Sequence, residues 1–155
     1  MLKISTTQCL GYVFSVIYDS RLMFSGFFDL SSLPKEMLTL SIAQDANTLA
    51  KEVCAWYADD HATQLPLPKQ LMGTAFQQSV WKAIADIPKG ETCSYSRLAV
   101  AIRRPSAVRA VGTSCGQNPL SLITPCHRVV GVASLGGYRW GANIKKSLLE
   151  YESTH

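Results

Sequence analysis

Two apolar runs rich in aromatic and β-branched residues, Leu10-Gly-Tyr-Val-Phe-Ser-Val-Ile-Tyr18 and Leu22-Met-Phe-Ser-Gly-Phe-Phe28, flank the polar triplet Asp19-Ser-Arg21. Such runs across a short turn predict a β-hairpin. From Gln44 to Tyr57 the period changes, and Leu49, Val53, Trp56 and Tyr57 fall on one helical face. Leu65-Pro-Leu-Pro68 cannot continue a helix, because proline lacks an amide hydrogen and restricts the residue before it. A linker is therefore expected at residues 61–73, between an N-terminal domain over 1–65 and a C-terminal domain over 74–155.

Beyond the linker the pattern is helical. Thr74 is placed to cap a helix that carries Phe76, Val80, Trp81 and Ile84 at core spacing, and Ile87-Pro-Lys-Gly90 stops it. Ser94 caps a second helix from Tyr95 to about Arg103, with Leu98, Ala99 and Ile102 inward. Arg104-Pro-Ser106 makes a turn, with Ser106 a candidate cap, and a third helix runs from Ala107 to about Gly116. Two short helices across a tight turn form a helix-turn-helix candidate. The third helix is small-sided at Ala107, Ala110, Gly112, Ser114 and Gly116. That admits close approach to another surface, and tight helix packing would give the same pattern.

Composition narrows the class. The chain has 155 residues, 47% of them hydrophobic, which supports an ordinary core. No apolar run nears the roughly 18 residues of a membrane helix. The first residues lack the basic-then-apolar layout of a secretory signal, so a cytoplasmic protein is expected. Cys9, Cys54, Cys93, Cys115 and Cys126 are odd in number and form no CxxC pair, so neither a disulfide framework nor a zinc knuckle is expected. The net charge of +4 hides a split. Up to Pro68, four Lys/Arg stand against seven Asp/Glu, a net −3; from Lys69 onward, eleven stand against four, a net +7. The second part is where a polyanion would bind.

Candidate chemistry lies in Thr124-Pro-Cys-His-Arg-Val-Val130. A thiolate is a nucleophile, and a nearby imidazole can take its proton. Sequence neighbours in an extended segment point to opposite sides, so Cys126 and His127 need a bent backbone or a bridging water. This disfavours a cysteine hydrolase, which needs direct contact with its base. A plain helix-turn-helix module with a structural cysteine is the other alternative.

The surroundings of that segment carry a resemblance. Phe76-Gln-Gln-Ser-Val-Trp81, Ile87-Pro-Lys-Gly-Glu-Thr92, Ser94-Tyr95, Leu98-Ala99, Arg109-Ala-Val-Gly112, Asn118-Pro119, Pro125-Cys-His-Arg-Val-Val130 and Gly137-Tyr-Arg-Trp-Gly141 occur in that order. The set, over about residues 73–152, resembles the O6-alkylguanine-DNA alkyltransferases, also called methylated-DNA–protein-cysteine methyltransferases. The resemblance implies an α/β (α+β) fold: a small N-terminal β-sheet with a helix in a ribonuclease H-like layout, then a mostly helical domain with a helix-turn-helix. It implies DNA repair by single-turnover transfer of the alkyl group from O6-alkylguanine to Cys126, with base flipping and minor-groove binding. Whether O4-alkylthymine also serves is left open.

The residues that match the family's site follow from the same motifs. Cys126 matches the acceptor, His127 the histidine that meets it through a water, Glu152 the carboxylate that orients the histidine (with Glu150 a nearby alternative), and Asn118 the hinge asparagine. Arg109 matches the arginine that enters the space the flipped base leaves, and Tyr95 the tyrosine on the guanine N3 side. Ala110, Ser94 and Arg97 are further DNA-binding candidates; Val129, Tyr138, Arg139 and Trp140 join Tyr95 in the expected pocket. Trp140 is bulky where some members carry glycine, and this predicts a narrow pocket that favours methyl adducts. The implied partner is double-stranded DNA containing O6-alkylguanine, with no cofactor, no membrane, no obligate protein partner and a monomeric chain. Cys9, Cys54 and His61 fall at the wrong spacings for the family's N-terminal zinc site, so no metal is expected. An alkyltransferase-like protein that binds lesions without reacting would carry another residue at the position of Cys126.

Overall fold

The computed structural model describes residues 1–59, 64–70 and 72–155, and His61 and the start of the expected linker lie outside them. The chain divides into two compact units, Met1–Gln70 and Leu71–His155.

The first unit is a four-stranded sheet with one helix. Its strands are β1 (Leu2–Cys9), β2 (Tyr12–Tyr18), β3 (Leu22–Gly26) and β4 (Ile42–Gln44), in the order β3-β2-β1-β4, followed by α1 (Leu49–Ala58). The expected hairpin is β2–β3, antiparallel, with its turn tightened by the Asp19 carboxylate accepting from the Arg21 amide. β1 was not foreseen, because its Lys3, Ser5, Thr6, Thr7 and Gln8 hide the apolar alternation. It forms because it is central: antiparallel to β2 on one side and parallel to β4 on the other. The β1–β2 turn places Leu10 and Gly11 at φ 51° and 82°, the left-handed pair that a two-residue hairpin requires.

Two expectations for this unit are corrected. The helix starts at Leu49, not Gln44, because residues 42–44 are taken up by pairing with β1 and the Asn47 side chain accepts from the Leu49 amide. Buried Ser5 fixes that start, donating to the Asn47 carbonyl and accepting from the Ala50 amide. Cys9 and Cys54 are bonded as a disulfide that ties the end of β1 to α1, where no disulfide framework was expected. Part of the expected linker is also structured: Pro68 and Gln70 exchange backbone hydrogen bonds with Leu22 alongside β3.

The second unit holds α2 (Ala75–Ala85), β5 (Cys93–Ser94), α3 (Tyr95–Ala101), α4 (Val108–Gly116), β6 (Val129–Val130) and α5 (Ala142–Thr154). Thr74 caps α2 in a reciprocal pair with Gln77, and Ser94 caps α3 by accepting from the Arg97 amide. Ser106 caps nothing; Ala107 precedes α4 without a side-chain bond. α3 stops at Ala101, short of the expected Arg103, because Arg103 turns into the left-handed region at φ 61°. Val80, Trp81, Ile84, Leu98, Ala99, Val111, Cys115, Cys126 and Val129 form the core of this unit. The Trp81 indole N–H donates to the Ser114 carbonyl at 2.9 Å and pins α4 to α2. Among the described residues no helix is long and apolar enough to cross a membrane.

Candidate active site

A two-residue ladder brings the reactive segment to its neighbours. Cys126–Arg128 form one turn of 3-10 helix and lead directly into β6, which pairs parallel with β5, Cys93 against Val129 and Ser94 against Val130. β5 leads directly into α3, so the ladder fixes Tyr95 on the same side as Cys126. Asn118 closes the preceding loop. Its side-chain carbonyl accepts from the Leu120 amide at 3.0 Å and its NH2 donates to the Thr124 carbonyl at 2.8 Å.

Cys126 is 7% exposed. Burial pushes its thiol above the ordinary cysteine value, while the Asn118 side chain and the charges of Lys145 and Arg139 pull it down. Its neighbour Cys115 lacks sufficient compensation and is pushed up to about 12 by burial. Of the two thiols, Cys126 has the amide that favours the anion.

Behind Cys126 lies a buried charge cluster. His127 Nε2 hydrogen-bonds Glu152, whose other oxygen accepts from Arg128 Nε at 2.6 Å. Arg128 also donates to the Ile87 carbonyl at 2.7 Å. Glu152 sits near the end of α5 and is 4% exposed; Glu150 is exposed and pairs with Lys146 across one helical turn. With its Nε2 proton held by the carboxylate, the neutral ring keeps Nδ1 as acceptor. Burial holds His127 below the ordinary histidine value, with Glu152 opposing.

The sign of the pH dependence follows from that shift. Below the unfolded value of about 6.5 the unfolded chain binds a proton that the native ring resists, so stability falls as pH drops. The denaturant midpoint is expected to be lower at about pH 5.5 than at about pH 7.5, and His127→Gln should remove most of the difference. An unchanged midpoint in the unaltered chain would refute the neutral histidine.

Cys126 opens onto a cavity of about 440 Å³ lined by Tyr95, Gly112, Cys115, Gly116, Cys126, Gly137, Tyr138 and Arg139. Gly136 sits against Tyr95: a Cβ there would lie 2.7 Å from the Tyr95 hydroxyl, and its φ of 73° also disfavours other residues. Burial and Cys115 raise the Tyr95 phenol above its ordinary value, with the Gly137 backbone opposing. Lys145, fully buried, donates to the Val129 carbonyl at 2.6 Å and the Gly137 carbonyl at 2.9 Å and stands 6.0 Å from the Tyr95 ring centre. Lys145 and Arg128 were not singled out by sequence reasoning, since charged residues ordinarily signal surface.

Two residues expected in the pocket wall are not among its lining. Val129 is fully buried beneath it. Trp140 donates its indole N–H to the Ser121 hydroxyl at 2.7 Å, so the premise of a pocket narrowed by indole falls away. Arg109 and Ala110 are exposed on α4. They line an open groove of about 610 Å³ with Thr74, Gln77, Thr113 and Gln117, while Gly112, Cys115 and Gly116 of the same helix line the cavity. Arg97 is exposed on α3, and Ser94 is half-buried at its cap.

Fold and site together define a class: a two-unit α/β protein whose second unit presents a buried cysteine, backed by a His–Glu–Arg cluster, to a cavity sized for a small molecule or a base. Residues 75–154 match the model of the family described as 6-O-methylguanine DNA methyltransferase, DNA binding domain. The chain belongs to the 6-O-methylguanine DNA methyltransferase family. It is 48% identical over 101 residues to the methylated-DNA–protein-cysteine methyltransferase of Mycobacterium tuberculosis, a match covering 64% of this chain and 61% of that one. It is 55% identical over 92 residues to the bifunctional transcriptional activator/DNA repair enzyme Ada of Escherichia coli, covering 59% of this chain and 26% of Ada. The crystal structure of the M. tuberculosis O6-methylguanine methyltransferase superposes with a TM-score of 0.82 at 34% identity, covering 99% of this chain and 94% of that one. The Pyrococcus kodakaraensis O6-methylguanine-DNA methyltransferase superposes with a TM-score of 0.80 at 27% identity, covering 98% and 99%.

Proposed function

We propose that the protein repairs alkylated DNA by taking the alkyl group from O6-alkylguanine permanently onto Cys126. The observation that carries this reading is the placement of Cys126 on a base-sized cavity with His127 and Glu152 behind it. His127 receives the thiol proton, by way of a water, and Glu152 and Arg128 hold the ring in the accepting tautomer. The sulfur attacks the alkyl carbon, the carbon–O6 bond breaks, and the departing guanine is protonated on the side facing Tyr95. The thioether is stable, so one molecule repairs one lesion. Incubation with duplex DNA containing O6-methylguanine, followed by intact mass and peptide mapping, should show one added methyl group on Cys126. Lesion binding with no mass change would refute transfer and favour a non-reacting lesion binder.

The lesion lies inside the duplex stack and must be turned out to reach the cavity. In this reading α3 and α4 act as a helix-turn-helix whose small-sided α4 enters the minor groove, and Arg109 fills the space the base leaves. Ala110, Ser94 and Arg97 contact the same duplex. Arg109→Ala is expected to slow repair of duplex DNA by on the order of tenfold or more, with little effect on reaction with free O6-benzylguanine. Equal slowing of both would contradict that role. One acceptor per lesion fits a monomer acting in the cytoplasm without a protein partner. The first unit, with its β3-β2-β1-β4 order, fits the ribonuclease H-like layout.

A further inference from the structure

The first unit carries thiol chemistry that alkyl transfer does not use. Cys9 ends β1, which lies between β2 and β4, and Cys54 stands in the middle of α1. Their sulfurs are bonded across 45 positions of chain, and their Cα atoms lie 6.1 Å apart. That Cα separation is one a disulfide spans without moving the backbone, so the bond can open and close on a standing fold. The two sulfurs are unequally placed: Cys9 is 1% exposed, whereas Cys54 is half-buried. The start of α1 is held independently, by the bonds of Ser5 to the Asn47 carbonyl and the Ala50 amide. The disulfide therefore governs the rest of the helix, where Val53, Trp56 and Tyr57 are buried. Neither cysteine lines the Cys126 cavity, and Cys93, Cys115 and Cys126 are free thiols.

We propose that Cys9 and Cys54 form a reversible redox switch that tightens α1 onto the sheet when small-molecule disulfides rise, with Cys54 as the sulfur that exchanges with solvent. On closing, the Cys54 thiolate attacks one sulfur of a disulfide such as oxidised glutathione, and one thiol leaves. The Cys9 thiol gives its proton to water and displaces the second thiol from Cys54. Two protein thiols are oxidised, and one small disulfide is reduced to two thiols. On opening, an external thiolate attacks the Cys54 sulfur, and the electron pair of the S–S bond passes to Cys9, which takes a proton from water. A second external thiolate then frees Cys54. Burial shields Cys9 from the first attack, since exchange depends on access to the sulfur. A reducing compartment keeps such a pair open. Closing it restricts the unfolded chain more than the folded one, so the oxidised unit is the more stable.

The test compares the full chain in oxidised glutathione and in dithiothreitol by amide exchange, read from peptide masses. Exchange over α1 should be about tenfold faster in the reduced chain, with α2 unchanged. Cys9→Ala and Cys54→Ser should each exchange at the faster rate in both conditions. Intact mass of the oxidised chain should show the loss of two hydrogens, absent in either variant. A short pulse of reduced glutathione, quenched in acid, should trap the mixed disulfide on Cys54. Equal exchange over α1 in the two conditions would overturn the switch. A loss of two hydrogens that persists in Cys9→Ala would place the bond among the other thiols and overturn it too. A mixed disulfide trapped on Cys9 would overturn the assignment of Cys54 as the exchanging sulfur.

Discussion

Cys126→Ala is expected to abolish alkyl transfer while leaving binding to lesion-containing duplex DNA within about twofold, since the substitution removes one buried sulfur and touches no exposed cation. The informative control is Cys115, which lines the same cavity. A thiol pushed up to about 12 has almost no anion at neutral pH, and the thiolate is the nucleophile, so Cys115 should not substitute. Peptide mapping of the variant after exposure to O6-methylguanine DNA should find no methylated cysteine. Methyl on Cys115 would show that the cavity, and not the environment of Cys126, confers reactivity.

The second large effect is expected at Glu152. This carboxylate is held by both His127 and Arg128, and removing it leaves a guanidinium buried without its counter-ion. Breaking a buried pair from one side costs about 3–5 kcal/mol, so Glu152→Ala should lower the denaturant-derived stability by that order. Exposed Glu150, two residues away, should change it by less than about 0.5 kcal/mol when replaced by alanine. Transfer should also slow, roughly a hundredfold, because the imidazole loses the group that fixes its tautomer. Matching stabilities for the two variants would show that the buried cluster holds no special share of the fold.

What was legible in the sequence was chiefly local. Thr74 with Gln77, and Ser94 with Arg97, declare helix starts within four residues. The β2–β3 hairpin follows from two runs and one turn. Cys126, His127, Tyr95 and Glu152 were expected from the family resemblance of short ordered motifs; the fold sets His127 against Glu152 and puts Tyr95 and Cys126 on one cavity. What was not legible depends on tertiary placement. Lys145 and Arg128 received no role from the sequence, yet each is buried and bonded to backbone carbonyls from other segments. Cys9 and Cys54 are 45 positions apart, and nothing local marks them as partners. Gln44 reads as the start of the helical pattern, but pairing of residues 42–44 with β1 takes it into the sheet. The size of Trp140 was plain, but not its direction; Ser121, 19 residues away, decides that.

The seat of Cys126 on the cavity floor also bears on what happens after reaction. A group added to that sulfur projects into the space the next flipped base would have to fill. On the proposed transfer a used molecule has no thiol left to react, and the added group takes up part of the cavity. The repair capacity of a cell then depends on how many unoccupied cavities it holds, and speed matters only for how quickly they fill.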